Sequence, residues 1–125
     1  MISNAELIDY LNQRRVNDNT YREFVQNYRP ENYNFTLCSL NGFDYMVSHF
    51  LDKSEEAGFG LIATNELLKT EKFGQLAIGL IEGDDVICLD PQTGHISLWM
   101  IQSSYGEFLV AAKSFQDFIN FCCEN

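Results

Sequence analysis

Hydrophobic residues in the first thirty positions recur at the spacing of amphipathic helices. Two segments, Ser3-x-x-Glu6 and Thr20-x-x-Glu23, have the form of a helix capping box. Apolar residues follow each of them at helical spacing: Leu7, Ile8 and Leu11 after the first, and Phe24, Val25 and Tyr28 after the second. The second helix is expected to end before Pro30, because the residue that precedes a proline disfavours the helical conformation.

The segment after Pro30 fits two kinds of secondary structure. Proline suits the first position of a helix, and Asn41-Gly42 is a good helix stop because both residues tolerate a left-handed backbone. Between them, four residues recur at helical spacing: Tyr33, Thr36, Leu37 and Leu40. Residues 33–37 also alternate as a strand would, and we favour the helix. Residues 43–51 fit both periods and are left unassigned.

The rest of the chain alternates between short apolar runs and turn residues. Residues 53–58 predict a charged loop that ends in glycine, residues 59–64 a strand, and residues 66–68 a short helix. Four further strands are predicted at residues 76–81, 85–90, 95–101 and 107–111, with turns at 82–84, 91–94 and 103–106. Ser114 then caps a last helix whose apolar stripe comprises Phe115, Phe118, Ile119 and Cys122.

The predicted order of elements is that of an α+β fold: helices come first, strands joined by short turns follow, and a helix closes the chain. Turns of two to five residues require antiparallel neighbours, so we expect a mostly antiparallel sheet with helices packed against it. The 125 residues are expected to form a single domain, 1–125. No apolar run has the length of a membrane span, and the first residues lack the features of a signal peptide. We therefore expect a soluble, cytoplasmic protein.

Charge is unevenly distributed along the chain. The sequence has 18 Asp and Glu against 8 Lys and Arg, a net charge of −10. Residues 1–30 are balanced, so residues 31–125 carry the whole excess, and residues 73–112 contain no Lys or Arg. Proteins that bind nucleic acids or anionic membranes neutralise phosphates with cations. Both partners are therefore disfavoured, whereas a basic protein partner is favoured, chiefly through faster encounter.

Signals for cofactor or metal chemistry are weak. The four cysteines lack C-x-x-C spacing, and we expect free thiols that pack as small apolar residues. They are Cys38, Cys88, Cys122 and Cys123. Gly58-x-Gly60-x-x-Ala63 has the form of a dinucleotide fingerprint, but no βαβ unit is predicted around it. No metal or cofactor is expected. A nucleophilic pair such as Cys88 with His49 is kept as one catalytic hypothesis, because such pairs meet in space rather than in sequence.

Four carboxylates fall within nine residues of the strand-rich half: Glu82, Asp84, Asp85 and Asp90. A solvated turn is the ordinary interpretation, and the ligand spacing of a calcium-binding EF-hand loop is absent. Because no Lys or Arg is near, the same carboxylates would also present a negative surface to a basic partner. Trp99, the single tryptophan, is expected in the core or, if exposed beside these turns, as the anchor of an interface.

Residues 77–90 resemble the core motif of the SUKH superfamily. In that family an apolar strand, a Gly/Asp turn and a second strand ending in Asp follow one another, as they do here. Gly94 and Trp99 then stand where the family has a glycine and an aromatic residue. Residues 114–118 are similar to the start of its closing helix, which begins Ser-Phe and continues with a second aromatic residue.

The resemblance extends upstream and covers about residues 20–122. Residues 30–33 and Asn41-Gly42 match the spacing of a proline, a tyrosine and an Asn-Gly pair in the family. Two departures are visible. Residues 43–58 match nothing in the family, and Arg29 stands where it usually has leucine.

The resemblance implies an α+β fold and a protein that binds rather than catalyses. SUKH members include bacterial immunity proteins, which neutralise a cognate toxin that is often a nuclease, and the yeast Smi–Knr regulators, which act as scaffolds. The leading hypothesis is therefore a cytoplasmic immunity protein for a basic toxin domain. Its predicted contact residues are Glu82, Asp84, Asp85, Asp90 and Trp99. The alternatives are a non-catalytic interaction scaffold in stress or cell-envelope signalling, and an enzyme with the Cys–His pair.

Overall fold

The computed structural model describes residues 1–33, 37–40, 42–102 and 106–122, with the backbone alone for residues 37–40. In this part of the chain the helices are α1 (Asn4–Gln13), α2 (Asn19–Asn27), α3 (Pro30–Tyr33), α4 (Leu61–Leu68) and α5 (Phe115–Phe121), with a 3-10 helix at Thr70–Phe73. The strands are β1 (Leu37–Leu40), β2 (Phe43–Phe50), β3 (Leu76–Ile81), β4 (Val86–Leu89), β5 (Ile96–Met100) and β6 (Glu107–Ala112). This order confirms the predicted α+β fold.

The six strands form one antiparallel sheet in which each strand pairs with the strand before it in the chain. Strands β3 to β6 lie where the alternation of apolar and polar residues predicts them. The turns at 82–84 and 91–94 also match, whereas residues 103–105 of the last predicted turn lie outside the described residues. The sheet is curled, and α5 contacts both of its edge strands, β1 and β6.

Side-chain caps define the starts of three helices. Ser3 Oγ accepts a hydrogen bond from Glu6 N at 3.1 Å, and Ser114 Oγ accepts one from Asp117 N at 3.1 Å, as the sequence predicts for α1 and α5. The cap predicted at Thr20 is wrong. Helix α2 is capped by Asp18, whose Oδ1 accepts a hydrogen bond from Tyr21 N at 3.0 Å. Asp caps a helix at least as well as Thr does, so the earlier of the two residues begins the helix.

The helix predicted from Pro30 to Leu40 is wrong after its first turn. Helix α3 ends at Tyr33, and residues 37–40 form β1, which pairs with β2 from Leu37 opposite Met46 to Leu40 opposite Phe43. The strand alternative, given for residues 33–37, holds only at Leu37, because Tyr33 belongs to α3 and residues 34–36 lie outside the described residues. The pairing of β1 with β2 supplies the backbone bonds that a helix would have supplied. Gly42, with φ +80, turns the chain between the two strands. Thr36 and Asn41 lie outside the described residues.

The strand predicted at residues 59–64 is also wrong. Residues 61–68 form α4, and the strand-like pairing is limited to one isolated bridge between Asp52 and Gly60. On α4 Leu61, Thr64 and Asn65 face inward, while Ile62 and Ala63 are half-buried. A short apolar run fits a buried helix as well as a buried strand, so its period alone does not distinguish them.

Aromatic side chains fill the space between the sheet and the helices. Residues opposed in the register share a face of the sheet, which places Phe50, Ile87 and Leu98 on one side. On that side Phe50 contacts Phe115 and Phe118 of α5, with 6.4 Å between ring centroids in each pair. The cluster continues over α2 and α3 through Tyr21, Phe24, Tyr28 and Tyr33. The opposite face carries Trp99, which is covered by Phe73 of the 3-10 helix.

Candidate protein-binding surface

Among the described residues, the strands of the sheet and the hairpin turns between them contain no Lys or Arg. All eight occur in or next to the helices and in the connection between β2 and β3: Arg14, Arg15, Arg22, Arg29, Lys53, Lys69, Lys72 and Lys113. The uneven charge of the sequence is therefore an uneven charge of the folded molecule. Carboxylates on the sheet and its turns have no cation beside them along their own strands.

Three exposed carboxylates lie around β2 and β3 at one end of the sheet, and Glu107 begins β6 at the same end. Glu82 N donates a hydrogen bond to Met46 O at 2.9 Å, so the end of β3 lies beside the first half of β2. Asp44 lies two residues earlier on β2, about 7 Å along the strand, and Asp84 lies in the turn after β3. We call Asp44, Glu82 and Asp84 the acidic end of the sheet. All three are exposed to solvent.

The backbone of the turn at the acidic end is fixed by hydrogen bonds. Asp84 N donates to Ile81 O at 3.0 Å, and Ile81 N donates to Asp85 O at 2.8 Å, closing the β3–β4 hairpin. Gly83 and Asp84 both have positive φ, +92 and +68. Tight hairpin turns need such angles, and Asp adopts them more readily than most residues do. The position of Asp84 is thus set by the backbone rather than by side-chain contacts.

Asp85, a predicted contact residue, does not lie on this surface. It is 6% exposed, and its Oδ1 accepts a hydrogen bond from Gln102 N at 2.8 Å. The carboxylate therefore ties the start of β4 to the chain that leaves β5. Replacing Asp85 would test the stability of this connection rather than binding of a partner.

Asp90 lies at the other end of the sheet. Its Oδ1 accepts hydrogen bonds from Gln92 N at 2.8 Å and from Thr93 N at 3.3 Å, so it stabilises the turn between β4 and β5. Asp90 lies six positions after Asp84 in the chain, a distance of up to about 20 Å along an extended strand. The four carboxylates that are close in sequence therefore do not form one patch in the fold.

Trp99 is buried rather than displayed. The side chain is 8% exposed, and its ring stacks on Phe108, with 5.2 Å between centroids and an interplanar angle of 9°. Phe73 covers it at 5.1 Å. Trp99 is thus a core residue, the first of the two alternatives that the sequence left open. It packs against Phe73 and Phe108, whose rings are more exposed than its own.

The sequence analysis missed Phe43, Asp44 and Met46. Phe43 is 66% exposed and Met46 36% exposed on β2. Because side chains alternate along a strand, Met46 shares a face with Asp44, whereas Phe43 lies on the opposite face at the end of the strand. The signal that could have located these residues is the strand-like alternation of residues 43–51, but the same segment also fits the period of a helix. Assigning that segment as a strand would have put Asp44 and Met46 on one face of it, but it would not have given their register against Glu82.

The Cys88–His49 pair is not joined in the structure. Ring nitrogens of His49 lie 3.0 Å from Ser48 Oγ and 2.6 Å from Gly58 O, and the ring stacks on Phe59. Cys88 is fully buried in β4, and burial raises the pKa of its thiol from 9.0 to about 12. A thiol with this pKa holds almost no thiolate at neutral pH, and the thiolate is the nucleophilic form.

The glycines of the fingerprint-like segment have a structural role. Backbone N–H groups at the start of α4, which would bind a phosphate, already donate to protein oxygens. Phe59 N and Gly60 N donate to Glu56 O at 3.1 and 2.8 Å, and Leu61 N donates to Asp52 O at 2.8 Å. A Cβ on Gly60 would lie 1.9 Å from Ser54 O, so close packing of this loop explains the glycine.

Comparison of the chain with models of protein families, with curated proteins and with solved structures found no match. Within the described residues, no group of three or more His, Cys, Asp or Glu side chains is arranged to hold a metal ion. None of the helices in that part of the chain is long and apolar enough to cross a membrane.

Proposed function

We propose that this chain is a cytoplasmic immunity protein that binds a basic toxin domain, of the nuclease type, through the acidic end of its sheet. The protein acts by occupying the partner rather than by catalysis. Asp44, Glu82 and Asp84 provide the charge of the contact surface. Met46 provides an apolar part on the face of β2 that carries Asp44, and Phe43 provides one at the end of the strand.

The observation that carries this proposal is that, in the part of the chain that the structure describes, the strands and the turns between them contain no Lys or Arg, in a protein with a net charge of −10. An uncompensated negative surface attracts a positive one over distances greater than a contact and accelerates encounter. Nuclease clefts are positive because they bind phosphates. An acidic protein that fills such a cleft competes with the substrate for the same cations.

Exposed apolar side chains beside the carboxylates give the surface a means of tight binding. Charged groups at an interface mainly set the association rate and the orientation, whereas buried aromatic and aliphatic side chains slow dissociation. Met46 lies two residues after Asp44, so the two side chains share a face of β2, and exposed Phe43 begins the strand at the same end. The resemblance to SUKH immunity proteins supports the toxin as the kind of partner.

The test compares two variants that carry the same net charge. One variant removes three charges from the acidic end: Asp44→Asn, Glu82→Gln and Asp84→Asn. Asn is chosen at residue 84 because it tolerates the positive φ. The matched control removes three exposed charges from α1, α2 and the loop after β2: Asp9→Asn, Glu23→Gln and Glu56→Gln.

Tagged protein serves as bait in extracts of its native cell at low salt, and the recovered partner is then used in rate measurements. We expect one basic polypeptide that is released as salt rises and that is toxic when expressed without this protein. Its association rate constant should fall about tenfold or more for the acidic-end variant, and by less than about threefold for the control.

Two outcomes contradict the proposal. Equal effects of the two variants would show that only the net charge matters and that the acidic end is not the contact surface. Recovery of several unrelated or acidic partners would instead favour the scaffold function, in which the negative charge serves solubility.

A further inference from the structure

Half of the eight Lys and Arg residues line one groove between α1, α4 and the turn that joins β4 to β5. Arg14, Lys69 and Lys72 line a cleft of about 570 Å³. Arg14 and Arg15 line a second cleft of about 700 Å³, which extends to Pro91 in the turn. The two clefts adjoin at Arg14, and together we call them the cationic groove. Small-molecule sites commonly have volumes of about 300 to 1,000 Å³.

The cationic groove is positive in a molecule that is otherwise strongly negative. Its four cations lie with two carboxylates, Glu66 and Glu71, so the groove has a formal charge of +2, whereas the whole chain has −10. Among the described residues the one ion pair joins the amino group of Met1 to Glu55, far from the groove in sequence. The cations of the groove are thus not neutralised by ion pairs within the fold.

Hydrogen bonds hold Arg14 in position between the two clefts. Its Nη1 donates to Tyr10 Oη at 2.7 Å, and its Nη2 donates to Thr70 Oγ1 at 3.2 Å and to Gln75 O. A guanidinium has five N–H donors. The second N–H of Nη1 and that of Nε have no acceptor among the described residues. An arginine fixed in this way binds an oxyanion with little loss of side-chain entropy.

Arg15 and Lys69 occupy positions at which glycine is the favoured residue. They follow α1 and α4 with a left-handed backbone, at φ +59 and +53. Among the described residues only one further residue other than glycine has a positive φ, Asp84 of the acidic end. A Cβ raises the energy of this conformation, which is why helices commonly end in glycine. A long cation at both helix ends opposes the backbone preference and points to a use of its side chain.

We propose that the cationic groove binds a compact anion with two linked phosphate groups, the group shared by inorganic pyrophosphate and nucleoside diphosphates. Cations lie on both sides of Arg14, which suits an elongated anion better than a single phosphate. Arginine binds phosphate oxygens in pairs, and lysine adds a point charge. A nucleic acid would instead bring many phosphates against surfaces that lack cations. The groove lies at the opposite end of the sheet from Asp84, and its occupation does not require the proposed function.

Isothermal titration calorimetry of the purified chain, without divalent cations, tests the site with inorganic pyrophosphate, ADP and orthophosphate. We expect a dissociation constant of about 1 mM or lower for pyrophosphate and for ADP, and binding of orthophosphate that is at least about tenfold weaker. ADP binding tighter than that of pyrophosphate by about tenfold would identify a nucleotide as the ligand, and equal binding would identify the diphosphate group alone. A dissociation constant above about 1 mM for both would overturn the proposal.

Two double variants that lose the same charge locate the binding. Arg15→Gly with Lys69→Gly should weaken pyrophosphate binding by at least about tenfold, and the exposed pair Arg29→Gln with Lys113→Gln by less than about threefold. Glycine suits the left-handed backbone, so the first variant should unfold at the same urea concentration as the wild type or at a higher one. Its loss of binding would therefore not reflect loss of the fold. Equal weakening by the two variants would overturn the proposal.

Removal of a carboxylate from the groove should strengthen binding. Glu71 lines both clefts and repels the anion, so Glu71→Gln should tighten pyrophosphate binding by about threefold or more. Glu56→Gln, an exposed change in the loop after β2, should alter it by less than about twofold. An affinity of Glu71→Gln no higher than that of Glu56→Gln would place the anion outside the groove and overturn the assignment.

Discussion

Asn65 pairs with both backbone groups of Ala77, as a neighbouring strand would. Its Oδ1 accepts a hydrogen bond from Ala77 N at 2.7 Å, and its Nδ2 donates one to Ala77 O at 2.9 Å. Strand β2 ends at Phe50, opposite Gly79, so the start of β3 has no strand beside it on that side. The buried amide of Asn65 takes that place and links α4 to the sheet.

Asn65→Ala should be strongly destabilising. It leaves the N–H and C=O of Ala77 buried without their partner and removes further bonds to Leu61 O and Thr70 Oγ1. We expect a loss of about 3 to 4 kcal/mol in the free energy of unfolding, measured in urea. Asn27→Ala, which removes one exposed side-chain bond to Glu23 O, should cost less than about 1 kcal/mol. Similar losses in the two variants would refute the role of Asn65.

Tyr21→Phe should not destabilise the protein. The Tyr21 side chain is 1% exposed, and its hydroxyl has no hydrogen-bond partner within the residues that the structure describes. Its ring packs edge-on against Phe115 at 5.1 Å, a contact that Phe retains. Because an unsatisfied buried hydroxyl carries a desolvation penalty, we expect a gain of about 1 kcal/mol in thermal or urea unfolding. A loss of about 1 kcal/mol or more would show that the hydroxyl is bonded in solution.

The free energy of unfolding should fall as the pH rises above 9, and ionisation of Cys88 should contribute to this fall. Burial raises the pKa of Cys88 to about 12 from 9.0, so the fold favours the protonated thiol. This contribution is complete below pH 9 and is lost as the pH rises from 9 to about 12, because the unfolded thiol ionises first. Wild type should lose stability faster than Cys88→Ala there, by up to about 1.4 kcal/mol per pH unit.

The comparison with Cys88→Ala isolates the thiol from the tyrosines. Burial raises the pKa values of Tyr10, Tyr21 and Tyr28 as well, and all three are present in both proteins. Parallel pH profiles of the two proteins between pH 9 and 12 would show that the Cys88 thiol ionises as easily in the folded chain as in the unfolded one.

Gly60→Ala should be destabilising for a purely steric reason. The φ of Gly60 is −87°, which alanine adopts without strain, but its Cβ would lie 1.9 Å from Ser54 O. The loop would have to move away, and we expect a loss of about 2 to 3 kcal/mol in urea unfolding. Ala57→Ser, an exposed change in the same loop, should stay within about 0.5 kcal/mol. If Gly60→Ala left the free energy of unfolding unchanged, the loop at Ser54 would have room for a Cβ at residue 60.

Local sequence signals located the capped helices α1 and α5 and four of the six strands. Ser3 and Ser114 bind backbone groups three residues away, so the cap and its helix are contained in one short segment. The hairpins from β3 to β6 are equally local, since each strand follows its partner after a short turn.

Long-range contacts determine the secondary structure of the segments for which local patterns gave an ambiguous or a wrong prediction. β1 is a strand because it pairs with the segment from Phe43 to Met46, which itself fitted both periods. α4 is a helix whose Asn65 completes the edge of β3, twelve residues further on. The sequence contains these partners but does not show by period alone that they meet.

Charge and turn composition predicted Glu82, Asp84, Asp85 and Asp90 together as contact residues but could not show which of them the fold itself uses. All four are carboxylates near turns, and the difference lies in which backbone N–H each one reaches. Asp85 binds Gln102 N and Asp90 binds Gln92 N, so both are used by the fold. Asp44 joins Glu82 only through the register of β2 against β3.

The strictly sequential order of the sheet has a consequence for folding kinetics. Most strands close onto a neighbour that lies a few residues away, so little chain entropy is lost before native contacts form. The exception is the pairing of β2 with β3, which spans residues 51–75 and includes α4. That closure is expected to be the slowest elementary step, and changes at Asn65 should slow folding itself, whereas changes at the exposed turn of Gly83 and Asp84 should mainly alter unfolding.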